Sequence, residues 1–228
     1  MKTKSIERLF LHILIYTFLL LPAFLVFSRN KTRERMLIGA YGITCFLMLS
    51  SYFYGYVKSS FLYFTVYTFL EYISFTSLLW LNIKSKGFKL IILFFSFLFI
   101  GFQIFTYVEL RTAALDSIPV GIETILIFIY IAFYFYESFQ DNQSDFIYNQ
   151  SCFWLCIGMM IYLGGTFFFN ILLHYLDQRH VDQYWFLTYV ADIIKNLFFV
   201  ASIVLGSTPS KEKLHHQKHL PHLDFDMN

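Results

Sequence analysis

Residues 90–105 read LIILFFSFLFIGFQIF, a stretch that is apolar on every face of a helix. Residues 9–27, LFLHILIYTFLLLPAFLVF, have the same character. Transmembrane barrel strands instead alternate polar and apolar side chains over about ten residues. These runs therefore predict helices that face lipid. The fold class that follows is an all-α integral membrane protein.

The composition excludes several other classes of protein. Of the 228 residues, 57% are apolar and 14% are charged, whereas soluble domains carry about 25% charged residues. So little charge argues against a cytosolic enzyme domain, a disordered chain and a secreted disulfide scaffold. The net charge of +2 comes without a dense basic face, so we expect no nucleic-acid partner. The three cysteines, an odd number, offer no disulfide framework.

Seven stretches are long and apolar enough to cross a bilayer, which takes about 20 residues of helix. They cover residues 9–27, 36–57, 60–82, 88–108, 117–137, 151–174 and 184–206. We therefore predict a seven-helix membrane domain over residues 9–206, between an N-terminal tail (1–8) and a His-rich tail (207–228). The first stretch has a basic start, but no small-x-small cleavage site follows it, so we expect a mature helix rather than a signal peptide.

The basic residues predict the orientation. With seven helices the termini lie on opposite sides, and one side carries ten Lys and Arg residues against six on the other. The richer side holds Arg29, Lys31, Arg33, Arg35, Lys84, Lys86, Lys89, Lys211, Lys213 and Lys218. The positive-inside rule then predicts N-out and C-in, with a cytoplasmic C-terminal tail. Because Pro221 interrupts any helical face that the tail histidines would share, we expect disorder there rather than a metal site.

Four ionisable residues lie deep inside the predicted spans: Glu71, Glu123, Asp192 and Lys195. Each costs about 2.5–3.5 kcal/mol at the centre of a membrane helix, so such residues usually face the bundle interior and pair. Glu71 and Lys195 each lie about eleven residues into their spans, near the midplane. An ion pair between them is therefore possible. Asp192 precedes Lys195 by three residues, so both lie on the same face of the helix.

Further polar residues extend this group. Glu123 and Tyr130 share one side of helix 117–137 with Asp116 and Glu137, because a sevenfold spacing repeats a helix face. The predicted ligand-binding site, in the outer half of the bundle, comprises Glu71, Glu123, Tyr130, Asn170, Asp192, Lys195 and Asn196. The alternative is an interhelical network that fixes packing and has no further function.

Three other functions can be weighed against the sequence. A lysine in the last helix with a nearby carboxylate resembles the retinal-binding proteins, but the Asp192–Lys195 spacing of three departs from the four of microbial rhodopsins. No HxxxH or HExxH pattern of a metal-dependent hydrolase occurs inside the spans. We therefore expect neither an enzyme nor a bound cofactor. Gly164–Gly165 fits either the unwound helix of a carrier or close helix packing, and packing is the favoured interpretation.

Four runs of the sequence carry a family resemblance. They are LEYISF at 70–75, DSIPVGIETILIFIYIAFYFYE at 116–137, CFWLCIGMMIYLGGTFFFN at 152–170 and ADIIKNLFFV at 191–200. These runs resemble a group of seven-helix inner-membrane proteins of the Bacteroidota that are often encoded beside sensor histidine kinases or response regulators. The resemblance covers about residues 60–205. It implies a multi-pass protein of the bacterial inner membrane with a link to signalling, and it assigns no site residue.

The sequence thus predicts a membrane protein of receptor or sensor type. A small polar or amphiphilic ligand, or a cation, would bind in the outer half of the bundle. The tail at 207–228 is too short for an effector domain, so a separate protein such as a sensor kinase would receive the signal. The alternative is a proton- or ion-coupled carrier of small solutes that uses the same carboxylates.

Overall fold

The computed structural model describes residues 32–53, 60–109, 118–140, 147–173 and 178–205. These residues are all-α, as the sequence predicts. They form six helices: α1 (Arg33–Phe53), α2 (Ser60–Asn82), α3 (Lys86–Glu109), α4 (Ile118–Gln140), α5 (Ser151–Leu173) and α6 (Gln178–Leu205), with a 3₁₀ turn at Ile147–Asn149. The predicted helix 9–27 and the two tails lie outside the described residues.

Several of the observed helices extend beyond the predicted spans. α1 begins at Arg33, three residues before the predicted span at 36, and the predicted end of that span at 57 lies outside the described residues. α6 begins at Gln178, six residues before the predicted span at 184. α4 continues to Gln140, beyond the predicted end at 137. These differences arise because apolarity marks the hydrocarbon core of the membrane, whereas helical hydrogen bonding continues into the polar interface.

Four of the described helices are long and apolar enough to cross a membrane. These candidate spans are Leu62–Asn82, Lys86–Val108, Ile118–Gln140 and Ser151–Phe169. In α3, large apolar side chains are exposed along the whole helix, and Phe97 and Leu90 are 78% and 68% exposed. Such a surface suits lipid and not water. The chain is therefore a multi-pass membrane protein.

The helices pack around α2, which contacts α1, α3, α4 and α5, while α5 and α6 lie together over most of their length. Glycines of α5 allow α5 and α6 to pack closely. A Cβ added at Gly158 would lie 2.9 Å from Cβ of Phe198 and 3.3 Å from the carbonyl oxygen of Lys195, and one at Gly165 would lie 3.1 Å from Cβ of Ala191. α5 runs unbroken through Gly164 and Gly165. Close packing is therefore the correct interpretation of this pair.

The start of α3 is held by a side chain from α4. Glu137 accepts hydrogen bonds from the backbone N–H groups of Lys84 and Ser85 at 2.7 and 2.8 Å. The Ser85 hydroxyl accepts a longer bond from the N–H of Phe88 at 3.5 Å. The first N–H groups of a helix have no partner within the helix, and a carboxylate also interacts favourably with the positive end of the helix dipole. Glu137 thus fixes the turn between α2 and α3.

A second polar contact joins the first turns of α1 and α5. The Ser151 hydroxyl donates to the Glu34 carboxylate, 3.1 Å from each oxygen. Glu34 precedes the predicted span 36–57. Burial raises the pKa of Glu34, and the hydrogen bond from Ser151 and the charge of Arg35 oppose that rise.

Candidate functional site: a buried lysine with shared carboxylates

Lys195 lies within a buried polar cluster. Its side chain is fully buried, and its Nζ lies 2.6 Å from Oδ1 of Asp192, one turn earlier in α6. The predicted placement of these two residues on one helix face is confirmed. A buried ammonium without an anion would cost several kcal/mol. Asp192 is therefore the main counter-ion that lets Lys195 remain inside the bundle.

Glu71 approaches the same ammonium from α2. Its Oε1 lies 3.9 Å from Lys195 Nζ, so the ion pair predicted from matching depths is present. Tyr41 of α1 bridges the two groups. Lys195 Nζ donates to the Tyr41 hydroxyl at 2.7 Å, and that hydroxyl donates to Glu71 Oε1 at 2.9 Å. The cluster thus connects α1, α2 and α6 through charge-assisted hydrogen bonds.

Tyr162 adds α5 to the cluster. The centroid of its ring lies 3.7 Å from Lys195 Nζ, which is a close cation–π contact. Its hydroxyl donates to Glu71 Oε2 at 3.2 Å, and the hydroxyl of Tyr67 lies 3.3 Å from that of Tyr162. We call the set Tyr41, Glu71, Tyr162, Asp192 and Lys195 the lysine centre.

The lysine centre and its surroundings hold more acid than base. Within it, Glu71 and Asp192 share the ammonium of Lys195. Glu123 of α4 is a third carboxylate and is 1% exposed. It interacts electrostatically with Glu71 and Lys195. Among the described residues, its Oε1 has no hydrogen-bond partner. Two carboxylates therefore contact one ammonium, and a third interacts with them electrostatically, in a region with little access to water.

The other predicted site residues lie in different surroundings. Asn196 is fully buried, and within the described parts of the chain neither its Oδ1 nor its Nδ2 has a hydrogen-bond partner. Tyr130 belongs to another cluster, in which its hydroxyl lies 3.1 Å from that of Tyr72, and Tyr72 lies 2.8 Å from Ser96 Oγ. Asn170 belongs to α5, but its side chain is outside the part that the structure describes. The structure therefore groups Glu71, Asp192 and Lys195, places Glu123 nearby, and does not bring Tyr130 to them.

The cavity beside the lysine centre is small. It measures about 10 Å³, and its lining includes Tyr41, Cys45, Tyr67 and Glu71. A volume of about 10–15 Å³ holds one water-sized particle, whereas sites for drug-sized ligands occupy about 300–1,000 Å³. A groove of about 360 Å³ lies between α1, α2 and α3, but none of the predicted site residues lines it. The space beside the lysine centre thus has room for one particle the size of water.

The two tyrosines of the lysine centre were missed by sequence reasoning. The chain has 17 tyrosines, and a search for charged residues inside spans passes over all of them. One signal was available for Tyr162, which lies eleven residues into α5, just as Glu71 lies eleven residues into α2. A search for hydroxyl groups at the same depth in the spans as the charged residues would have found Tyr162.

Comparison with known proteins gives no match. No protein-family model fits the chain, and no curated protein or solved structure is detectably similar to it. The resemblance of the four sequence runs to a Bacteroidota family therefore stays a prediction. The functional conclusion is drawn from the geometry of the lysine centre.

Proposed function

We propose that this chain is a membrane protein of receptor or sensor type that binds a proton or a small cation at the lysine centre. The charge balance carries the proposal. Glu71 and Asp192 contact the ammonium of Lys195, and the buried Glu123 interacts electrostatically with Glu71 and Lys195. When all four groups are ionised, three negative charges and one positive charge leave an excess of two in a region of low dielectric, which is costly. A bound proton or monovalent cation reduces this excess from two charges to one.

The size of the cavity narrows the class of ligand. The sequence alone allowed a small polar or amphiphilic ligand as well as a cation. The cavity of about 10 Å³ next to Glu71 and Tyr41 has room for one particle the size of water. Glu71, Tyr41 and Tyr67 are among the residues that line it, and oxygen is the ligand atom that hard cations prefer.

Binding at this position would act on several helices at once. The contacts of Lys195 and Glu71 reach α1 through Tyr41 and α5 through Tyr162. A ligand that binds one arrangement of these helices more tightly than another shifts their equilibrium by its differential affinity. Neutralising Glu71 would weaken its attraction to Lys195 and so change the packing between α2 and α6.

The proposal includes a seven-helix, N-out and C-in arrangement in the bacterial inner membrane. The apolar stretch 9–27 and the distribution of Lys and Arg support it. The signal would pass to a separate membrane partner, for which a sensor kinase is our candidate because of the family resemblance of residues 60–205.

The second candidate function is a proton- or ion-coupled carrier of small solutes. A chain of hydrogen-bonding groups favours it. This chain runs from Lys195 through the Tyr41 hydroxyl to Glu71 and on to Tyr162 and Tyr67. Linked hydroxyl and carboxyl groups of this kind are typical of intramembrane proton relays.

Flux through reconstituted protein separates the two functions. The purified protein is inserted into proteoliposomes, and uptake of H⁺ and Na⁺ is followed under an imposed membrane potential. Saturable flux that disappears in Glu71→Gln and persists in the exposed control Lys86→Gln would support the carrier and contradict the receptor. Absence of flux, together with cation-dependent thermal stabilisation that Glu71→Gln removes, would support the receptor. Absence of both would leave the lysine centre as a packing network and overturn both functions.

A further inference from the structure

A second buried cluster lies in the first three turns of α5. Cys152, Cys156 and Met159 share one face of this helix, because spacings of four, three and seven residues return to the same side. Their side chains are buried, with 3%, 0% and 0% exposed. Both cysteines are free thiols, and their Sγ atoms lie 4.0 Å apart. Three sulfur-bearing side chains thus share one helix face, and none of them belongs to the lysine centre.

The distance between the two thiol sulfur atoms fits a shared metal ion. Two sulfur atoms 4.0 Å apart, each at the ~2.3 Å of a metal–thiolate bond, subtend about 120° at a shared metal ion. This is the angle of a trigonal site with three ligands. Met159, one turn beyond Cys156 on the same face, offers the third sulfur.

We propose that Cys152, Cys156 and Met159 form a site for a soft monovalent metal ion such as Cu(I). Thiolate and thioether ligands select Cu(I) over hard cations such as Mg²⁺ and Ca²⁺, which prefer oxygen. Structural Zn²⁺ takes four ligands, and among the described residues no group of three or more His, Cys, Asp or Glu side chains is placed to hold a metal. The ligand set therefore fits a three-coordinate soft ion.

Two polar side chains connect the Cys152 thiol with the start of α5, where a proton released from the thiol could leave. The Tyr134 hydroxyl lies within hydrogen-bonding reach of Cys152 and donates to Oε1 of Gln150 at 2.7 Å. Gln150 directly precedes α5 and is half-buried. A thiol that binds a metal as thiolate must release its proton. Tyr134 and Gln150 are the polar groups that connect this thiol with the end of the helix.

Binding of Cu(I) to the purified full-length protein tests the proposal. The protein in detergent is titrated with Cu(I) without oxygen, against a chelator that competes for the ion. We expect one Cu(I) per chain and an ultraviolet thiolate-to-copper absorption. Cys152→Ser and Cys156→Ser should lose this binding, and Met159→Leu should weaken it about tenfold, by analogy with other perturbed metal sites. The matched control is Met160→Leu, which removes the neighbouring, 37% exposed thioether of α5 and should bind as the wild type does.

Two results would overturn the site. One is a wild-type protein that holds no more Cu(I) than the Cys152→Ser/Cys156→Ser variant. The other is a loss of binding in Met160→Leu equal to that in the Cys152→Ser and Cys156→Ser variants. Should a serine variant fail to fold, native mass spectrometry of the wild type decides the question. A copper-bearing fragment from residues 147–173 supports the proposal, and copper only on other fragments contradicts it.

Discussion

Lys195 Nζ and Glu71 Oε1 lie 3.9 Å apart in the bundle interior, and the Tyr41 hydroxyl connects them by two hydrogen bonds of 2.7 and 2.9 Å. Asp192 holds the same ammonium directly, at 2.6 Å. The two carboxylates therefore share Lys195 unequally. Because Glu71 is the more distant of the two and borders the small cavity, it is the carboxylate at which we expect a cation or proton to bind.

Removing the ammonium should destabilise the protein strongly. Lys195→Met would leave Asp192 and Glu71 buried without their cation, and breaking a buried pair in this way costs about 3–5 kcal/mol. Thermal unfolding in detergent, followed by tryptophan fluorescence, measures the loss. Lys195→Met/Asp192→Asn should recover much of it, because one of the stranded charges is removed as well. A Lys195→Met protein as stable as the exposed control Lys86→Met would contradict the buried pair.

Loss of the Tyr41 hydroxyl should weaken the link between Lys195 and Glu71. Tyr41→Phe keeps the ring and removes the group that bridges the two charges, so we expect a loss of about 1–3 kcal/mol. The same unfolding measurement applies. Tyr136→Phe is the matched control, because Tyr136 is 55% exposed and should lose almost nothing. Equal stability of the two variants would show that the bridge has no energetic role.

A methyl group at Gly158 should force α5 and α6 apart. An added Cβ would lie 2.9 Å from Cβ of Phe198 and 3.3 Å from the backbone oxygen of Lys195, and overpacking of this kind costs about 1–3 kcal/mol. Gly158→Ala should therefore lower the unfolding temperature. Gly101→Ala is the control, since no atom lies within 4 Å of its added Cβ. An unfolding temperature of Gly158→Ala equal to that of the wild type would contradict the close packing of α5 and α6.

The carboxylate of Glu137 should protect the turn that directly precedes α3. Glu137→Ala removes the acceptor for the N–H groups of Lys84 and Ser85, and loss of such a cap costs about 1 kcal/mol. Hydrogen exchange at these two amides should become faster, less so in Glu137→Gln, which keeps one acceptor oxygen. The exposed Gln140, three residues later in α4, gives the control Gln140→Ala. Exchange rates unchanged in Glu137→Ala would contradict the cap.

The sequence was sufficient to predict the core of the site where helix geometry alone determines distance. The i, i+3 spacing places Asp192 beside Lys195 on one helix face. Equal depth in two spans allows Glu71 to approach the same ammonium. The partners Tyr41 and Tyr162 depend instead on how each helix is rotated about its axis. A helix that is apolar on all sides carries no pattern that marks the face it buries.

Tyr130 shows a second limit of pattern reasoning. It shares a heptad face with Glu123, but seven residues correspond to about 10 Å along the helix axis. Two side chains on one face can therefore meet different neighbours. Glu123 lies near Glu71 and Lys195, whereas Tyr130 contacts Tyr72. A stripe on one helix predicts the direction of its side chains, and the other helices determine what each one contacts.

Cation-dependent thermal stability tests the role of the lysine centre most directly. The purified protein is unfolded across series of H⁺, Li⁺, Na⁺ and K⁺ concentrations, with choline chloride keeping the ionic strength constant. A ligand that binds only the folded state stabilises it by about 2.7 kcal/mol at 100 times its dissociation constant. We predict that one of these cations stabilises the wild type and Lys86→Gln, and that the effect is lost in Glu71→Gln/Glu123→Gln. A double variant with the full wild-type response, or a wild type with no response to any of the four, would contradict the proposal.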